Sequence, residues 1–220
     1  MTVRPLARNL AITLLALGKL GPAATPALAQ KLSFDVGPMA GIALASWRGA
    51  AGGSAGFRTG FVGGGFLTIG LNKHFALEPQ VLYVRKGTET VAIGGKANYT
   101  QEYVEIPLLF KGMYRLARPL SFAPTFFAGP AVAFQTSCTF RSSGPIRVAM
   151  CDSLYAGGGA SMRHIDAILV FGGGFQVGPF AFLTRYDLGL TKILVMSTPQ
   201  DYRTKAWLMS VGFRLPLDKR

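Results

Sequence analysis

The stretch Lys205-Ala206-Trp207-Leu208-Met209-Ser210-Val211-Gly212-Phe213-Arg214-Leu215 decides the fold. Its odd positions from Trp207 to Leu215 are all large and apolar. Its even positions, Ala206, Leu208, Ser210, Gly212 and Arg214, are mostly small or polar. Successive side chains of a strand point to opposite faces, so a period of two reads as a strand with two unlike faces. A helix would scatter the same five apolar residues around its circumference.

Seven further segments carry this alternation. Segment 34–44 sets Phe34, Val36, Ala40 and Ile42 against Asp35, Gly37 and Met39, and segment 57–72 sets Phe61, Leu67 and Ile69 against Arg58, Val62 and Thr68. Segment 75–86 opposes Val81 and Tyr83 to Glu78 and Gln80, and segment 99–111 opposes Val104, Ile106 and Phe110 to Glu105, Leu109 and Lys111. Segments 121–134, 165–177 and 179–189 follow, with Asp166, Arg185 and Asp187 on the more polar parity. Between them lie short connections (Asn72 to His74, Gly112 to Leu120, Gly178-Pro179) alternating with long ones (45–56, 87–98, 135–164, 190–204). Up-and-down membrane barrels have short turns at one end and long loops at the other. The expectation is an all-β fold: one eight-stranded antiparallel transmembrane β-barrel with short periplasmic turns and longer extracellular loops.

Composition agrees. Half of the 220 residues are hydrophobic, and only 15% are charged, against about 25% in ordinary soluble domains. Mean hydropathy is +0.33, yet after residue 30 no apolar run approaches the roughly 20 residues of a membrane helix. A soluble lipocalin-like ligand-binding barrel would also alternate, but it would turn the Asp35, Glu78, Glu105, Arg185 parity to water. That parity is mostly Gly, Ala and Leu, too poor in charge for a soluble surface.

Residues 1–29 read as a signal peptide. Arg4 and Arg8 form a basic start, Leu10 to Leu17 a short apolar core, and Ala27-Leu28-Ala29 a small-x-small cleavage site before Gln30. Residues 30–220 are then the barrel domain, and cleavage lowers the net charge from +13 to +10 through the loss of Arg4, Arg8 and Lys19. The cations are spread without a run or an RNA-binding signature, so nucleic acid is not the partner. Outer-membrane lipid and lipopolysaccharide are the expected partners, with the barrel-assembly machinery during insertion; scattered rim cations suit anionic headgroups.

Tyr103-Val104-Glu105-Ile106-Pro107-Leu108-Leu109-Phe110-Lys111 resembles a segment of PorT-like outer-membrane β-barrel proteins. Leu77-Glu78-Pro79-Gln80-Val81-Leu82-Tyr83 with Arg85-Lys86-Gly87 is similar to the segment before it, and Gly129-Pro130 to a later one. The resemblance implies an outer-membrane location and a barrel without a catalytic mechanism. One departure is that Phe213 is followed by Arg214 to Arg220 rather than ending the chain on an aromatic residue.

Within an eight-stranded barrel the lumen is just filled by side chains, so inward charges must pair. Glu78, Glu105, Lys111, Arg185 and Asp187 are the expected lumen network, with Asp35, Arg58, Asp166 and Arg214 on the same parity. Cys138 and Cys151, the only cysteines, lie outside any metal spacing and are expected to form a disulfide in an exported protein. No metal or cofactor motif is present. The runs Gly63–Gly65, Gly157–Gly159 and Gly172–Gly174 match neither phosphate-binding fingerprint and suit barrel curvature.

An enzymatic alternative is a lipid-modifying site at the rim built from Ser161, His164 and Asp166, since a Ser–His pair oriented by an acid can attack an ester. His74, in a short turn, has no such companions. The function expected is a non-enzymatic envelope role: structure, surface recognition or limited passage of small solutes.

Overall fold

The computed structural model describes residues 32–48, 56–92, 95–114, 122–142, 148–151, 161–192, 194–195 and 202–217. Residues 1–29, expected to be a signal peptide, and Gly157–Gly159 lie outside the described residues. In chain order the strands are β1 (Ser33–Arg48), β2 (Gly56–Gly70), β3 (Phe75–Ala92), β4 (Gly95–Met113), β5 (Phe122–Ser142) and β6 (Val148–Met150). They continue as β7 (Ser161–Met162), β8 (Ile165–Val177), β9 (Phe180–Gly189), β10 (Leu194–Val195), β11 (Arg203–Phe213) and β12 (Leu215–Pro216).

Eight long strands pair with their neighbours in the order β1-β2-β3-β4-β5-β8-β9-β11, and β11 pairs back onto β1. The register of the closing pair runs from Met39↔Gly212 to Arg48↔Arg203, antiparallel throughout. The described strands thus form a closed eight-stranded antiparallel barrel, and closure leaves its wall without an edge.

Alternation sorts the side chains as the period of two requires. In β9 the outward Phe180 and Phe182 are exposed, whereas Ala181, Leu183, Arg185 and Asp187 are buried. In β11 the outward Trp207, Met209, Val211 and Phe213 are exposed against buried Ala206 and Leu208. Apolar residues as well as charges fill the interior, among them Phe66, Leu82, Tyr103, Leu109 and Phe127.

Aromatic rings gather outside at two levels. Near the short turns Phe75 stacks on Phe110 at 5.5 Å, Phe175 on Phe182 at 5.1 Å, and Phe180 meets Phe213 at 5.4 Å. Toward the other end Phe61 meets Tyr83 at 5.5 Å, Phe171 meets Tyr186 at 5.3 Å, and Tyr186 meets Trp207 at 4.9 Å. On β3 the step from Phe75 to Tyr83 spans about 26 Å of strand. At the usual tilt of about 40° this is roughly 20 Å of height, close to the apolar band of an outer-membrane barrel.

Two of the expected short turns, between β2 and β3 and between β8 and β9, fall where expected, and residues 115–121 of the third lie outside the described residues. Asn72 Oδ1 accepts the amides of His74 and Phe75 at 2.8 Å each, closing the β2–β3 turn. Gly178 takes φ of 56° in the β8–β9 turn, a left-handed conformation that favours glycine.

The other end departs from expectation. Residues 87–92 and 95–98 are strand rather than loop: β3 and β4 stay paired from Gly87↔Thr100 to Ala92↔Gly95. In the same way β5 continues to Ser142 and is joined by β6, with Thr139↔Met150 and Arg141↔Val148. The reason is chemical. From Arg85 to Thr90 both faces of β3 lack large apolar residues, so the apolar/polar signal ends while backbone pairing does not. The 205–215 segment also differs: β11 ends at Phe213, and β12 pairs separately with Asp35 and Val36 of β1.

Candidate functional site

The buried polar centre of the barrel is built by three strands. Even positions of β3 supply Glu78, Gln80 and Lys86; odd positions of β4 supply Glu105 and Lys111; β9 supplies Arg185 and Asp187. In the circular order β9 stands directly opposite β3. Contacts between them therefore cross the lumen.

The contacts form one continuous chain. Lys111 Nζ lies 2.6 Å from Glu78 Oε2, to which the Thr68 hydroxyl also donates at 2.6 Å. Gln80 Nε2 donates to Glu78 Oε1 at 2.9 Å, and the Gln80 carbonyl oxygen accepts from Arg185 Nη1 at 3.4 Å. Arg185 Nη2 donates to Glu105 Oε2 at 2.6 Å and to Asp187 Oδ2 at 3.0 Å. Lys86 Nζ completes the group, 2.5 Å from Glu105 and 3.4 Å from Asp187.

Three cations face three carboxylates here, and none of these side chains is more than 6% exposed. Removing one charge would strand its partner in a low-dielectric interior, a loss of about 3–5 kcal/mol. Sequence reasoning placed five of these residues, Glu78, Glu105, Lys111, Arg185 and Asp187, on the lumen parity as one expected network, without assigning its pairs. It passed over Lys86, although the even parity of Glu78, Gln80, Leu82 and Val84 runs straight on to it.

Separate contacts lie toward each end. At the turn end Arg214 pairs with Asp35 and donates to the Gln176 side-chain oxygen. At the other end Trp47 packs on Tyr99 at 4.8 Å and Tyr202 at 6.0 Å, and its indole donates to Gln101 at 3.1 Å. Beside them Cys138 and Cys151 are bridged, with Cα atoms 5.4 Å apart and Tyr99 and Tyr202 packed against the two cysteines. The bridge ties the end of β6 to β5.

Of the three expected rim residues, Asp166 and His164 are described, and each is engaged elsewhere. Asp166 is buried and turned inward, where its carboxylate accepts from the Thr204 hydroxyl at 2.7 Å and the Thr191 amide at 3.2 Å. His164 is exposed at a bend before β8. Its contact in the barrel is through the backbone, its carbonyl accepting the Gln135 amide at 2.7 Å. The Ser161 side chain lies outside the described residues. His74 Nδ1 sits 3.4 Å from the Met113 carbonyl, and its ring stacks on Tyr114. Among the described residues no cluster of ligating side chains is arranged to hold a metal.

A closed barrel with an apolar exterior, two aromatic levels and a neutralised interior defines the class of outer-membrane β-barrel proteins. The chain belongs to the family described as outer membrane protein beta-barrel domain, whose model matches residues 28–195. It is similar in structure to the outer membrane protein OprG from Pseudomonas aeruginosa, at 14% identity over 84% of this chain and 97% of that one, with a TM-score of 0.48. It is also similar to Neisserial surface protein A, at 14% identity over 84% and 100%, with a TM-score of 0.45. A third similar structure is Ail, the attachment invasion locus protein of Yersinia pestis, at 14% identity over 83% and 99%, with a TM-score of 0.40. No curated protein matches the chain by sequence.

Proposed function

We propose that this chain is exported through the signal peptide at 1–29 and serves the bacterial outer membrane as a non-enzymatic barrel with a sealed lumen. The observation that carries the reading is Arg185: its guanidinium reaches from β9 to Glu105 on β4 and to Gln80 on β3, on the opposite wall. A permanent aqueous path would have to run through a group of side chains already holding one another. The working surface is then the loop end, where the β3–β4 hairpin and the disulfide-tied β5–β6 hairpin stand beyond the apolar band. That end faces outward if both termini and the short turns are periplasmic, as in barrels of even strand number.

Exposed cations at the loop end, Arg85, Lys96 and Arg141 among them, support outer-leaflet lipopolysaccharide as the contacting lipid. The closed antiparallel barrel supports insertion by the barrel-assembly machinery. Within the family, the 77–130 stretch supports a place among PorT-like barrels. The non-enzymatic reading is supported by Asp166, whose carboxylate is engaged by Thr204 and Thr191 instead of orienting His164.

Swelling of proteoliposomes in small sugars tests the sealed lumen. Wild-type protein should swell vesicles no faster than protein-free controls; swelling at porin-like rates would overturn it. The export step is tested by N-terminal sequencing of protein recovered from outer membranes, which should begin at Gln30.

A further inference from the structure

Arg58 is the lumen-parity cation that the pairing network leaves out. It lies on β2 where the barrel wall changes register. The β2–β3 ladder is regular at Phe57↔Thr88 and resumes at Val62↔Val84, so residues 58–61 of β2 face only residues 85–87 of β3. The surplus residue loosens the ladder locally, as a β-bulge does.

A cavity of about 280 Å³ opens at this break, lined by Arg58, Thr59 and Phe61 of β2, Arg85 and Lys86 of β3, and Thr100 of β4. The arginine stem lies close over Gly87, where a β-carbon would stand 2.7 Å from the Tyr99 carbonyl oxygen and 2.8 Å from Arg58 Cδ. Arg58 Nη1 is buried and has no hydrogen-bond partner, and no carboxylate pairs with Arg58 among the described residues. A buried guanidinium N–H without a partner has given up its water and gained no hydrogen bond in return, so it is a standing demand for an acceptor.

The neighbouring charges do not meet this need. Lys86 is occupied by Glu105 and Asp187. Among the described residues Arg85 pairs with Glu102 alone, at 3.8 Å on the exposed side. Local charge is therefore positive, with two threonines beside it. The level also matters. Tyr83, two residues before Arg85 on the outward face of β3, belongs to the upper aromatic level with Phe61. The cavity thus sits just beyond the apolar band, at headgroup depth. A water occupies about 30 Å³, so the space accommodates a tetrahedral oxyanion with part of its hydration.

We infer that the break between β2 and β3 is a phosphoryl-binding site, in which Arg58 receives the anion from within the wall and Arg85 guides it from the rim. Guanidinium groups suit phosphoryl oxygens because their N–H donors match them in pairs. The phosphoryl group is either that of an outer-leaflet lipid or a free phosphate. The site rests on the outward-facing loop end proposed above.

The test uses the full mature barrel refolded in an uncharged detergent, titrated separately with inorganic phosphate and with diphosphorylated lipid A. Heat-modifiable gel migration is recorded for every sample. Arg58→Gln should weaken binding at least tenfold, Arg58→Lys less, and Lys73→Gln at the turn end not at all. Binding of lipid A alone, lost in Arg58→Gln, assigns the site to a lipid headgroup; Arg58-dependent binding of both probes assigns it to phosphate generally. Equal binding by wild type and Arg58→Gln, or no binding of either probe to a heat-modifiable barrel, overturns the site. A chain that never becomes heat-modifiable contradicts the membrane barrel itself, a different failure.

Discussion

At the scale of single residues, Arg185 and Lys111 hold the interior together in different ways. Arg185 bonds Glu105, Asp187 and Gln80 at once, whereas Lys111 answers Glu78 alone among the carboxylates. Arg185→Ala leaves two carboxylates short of a donor and should destabilise the barrel by about 3–5 kcal/mol. Lys111→Ala should fall near the lower end of that range, because Thr68 and Gln80 still donate to Glu78. Urea unfolding in phospholipid vesicles, followed by tryptophan fluorescence, measures both. The paired replacement Lys111→Met with Glu78→Leu should recover most of the loss, since no buried charge is then left alone. Five of the six charged members were legible in the sequence from parity and from the cost of burying charge. Lys86 was hidden because it sits beside Arg85, which points outward, and the pair reads as one exposed basic patch. The lumen-spanning reach of Arg185 was not legible at all, since it depends on β9 closing opposite β3.

At the scale of elements, outward apolar residues and the loop-end hairpins make separate demands. Leu108 of β4 lies between the two aromatic levels and is 44% exposed. Leu108→Arg should cost about 2–4 kcal/mol in lipid, as cations on the lipid face near the midplane do; a cost below about 1 kcal/mol in the same urea experiment would contradict the assigned depth. The Cys138–Cys151 bridge closes a loop of thirteen positions, worth about 3 kcal/mol by chain entropy. It joins β5 to β6 outside the β1-to-β11 ring, so its effect should stay local. Reduction should make the 139–150 segment cleavable by protease while heat-modifiable migration persists; loss of the folded band on reduction would show that the bridge supports the barrel itself. The membrane-spanning lengths of the strands were legible because lipid on one side and packing on the other impose opposite chemistries. Their extensions past Tyr83 and Phe134 were not, because the outward side meets water rather than lipid there while the inward side still buries Lys86, Thr88, Gln101 and Cys138, so the two sides no longer impose the apolar/polar contrast that marks a strand.

At the scale of the whole molecule, one pattern must satisfy three surroundings: lipid outside, a packed interior, and water at the ends. β11 samples the first two in alternation, from Thr204 to Phe213. Single cysteines along it, spin-labelled with the native disulfide left oxidised, report contact with dissolved oxygen or with an aqueous nickel complex. Labels at 207, 209, 211 and 213 should meet oxygen and not nickel. Labels at 206, 208 and 210 should meet neither, because a sealed, packed lumen admits no free reagent. Nickel contact at the even positions would mean a water-filled pore, and nickel contact at the odd positions a soluble barrel; either result contradicts a sealed barrel spanning the outer membrane.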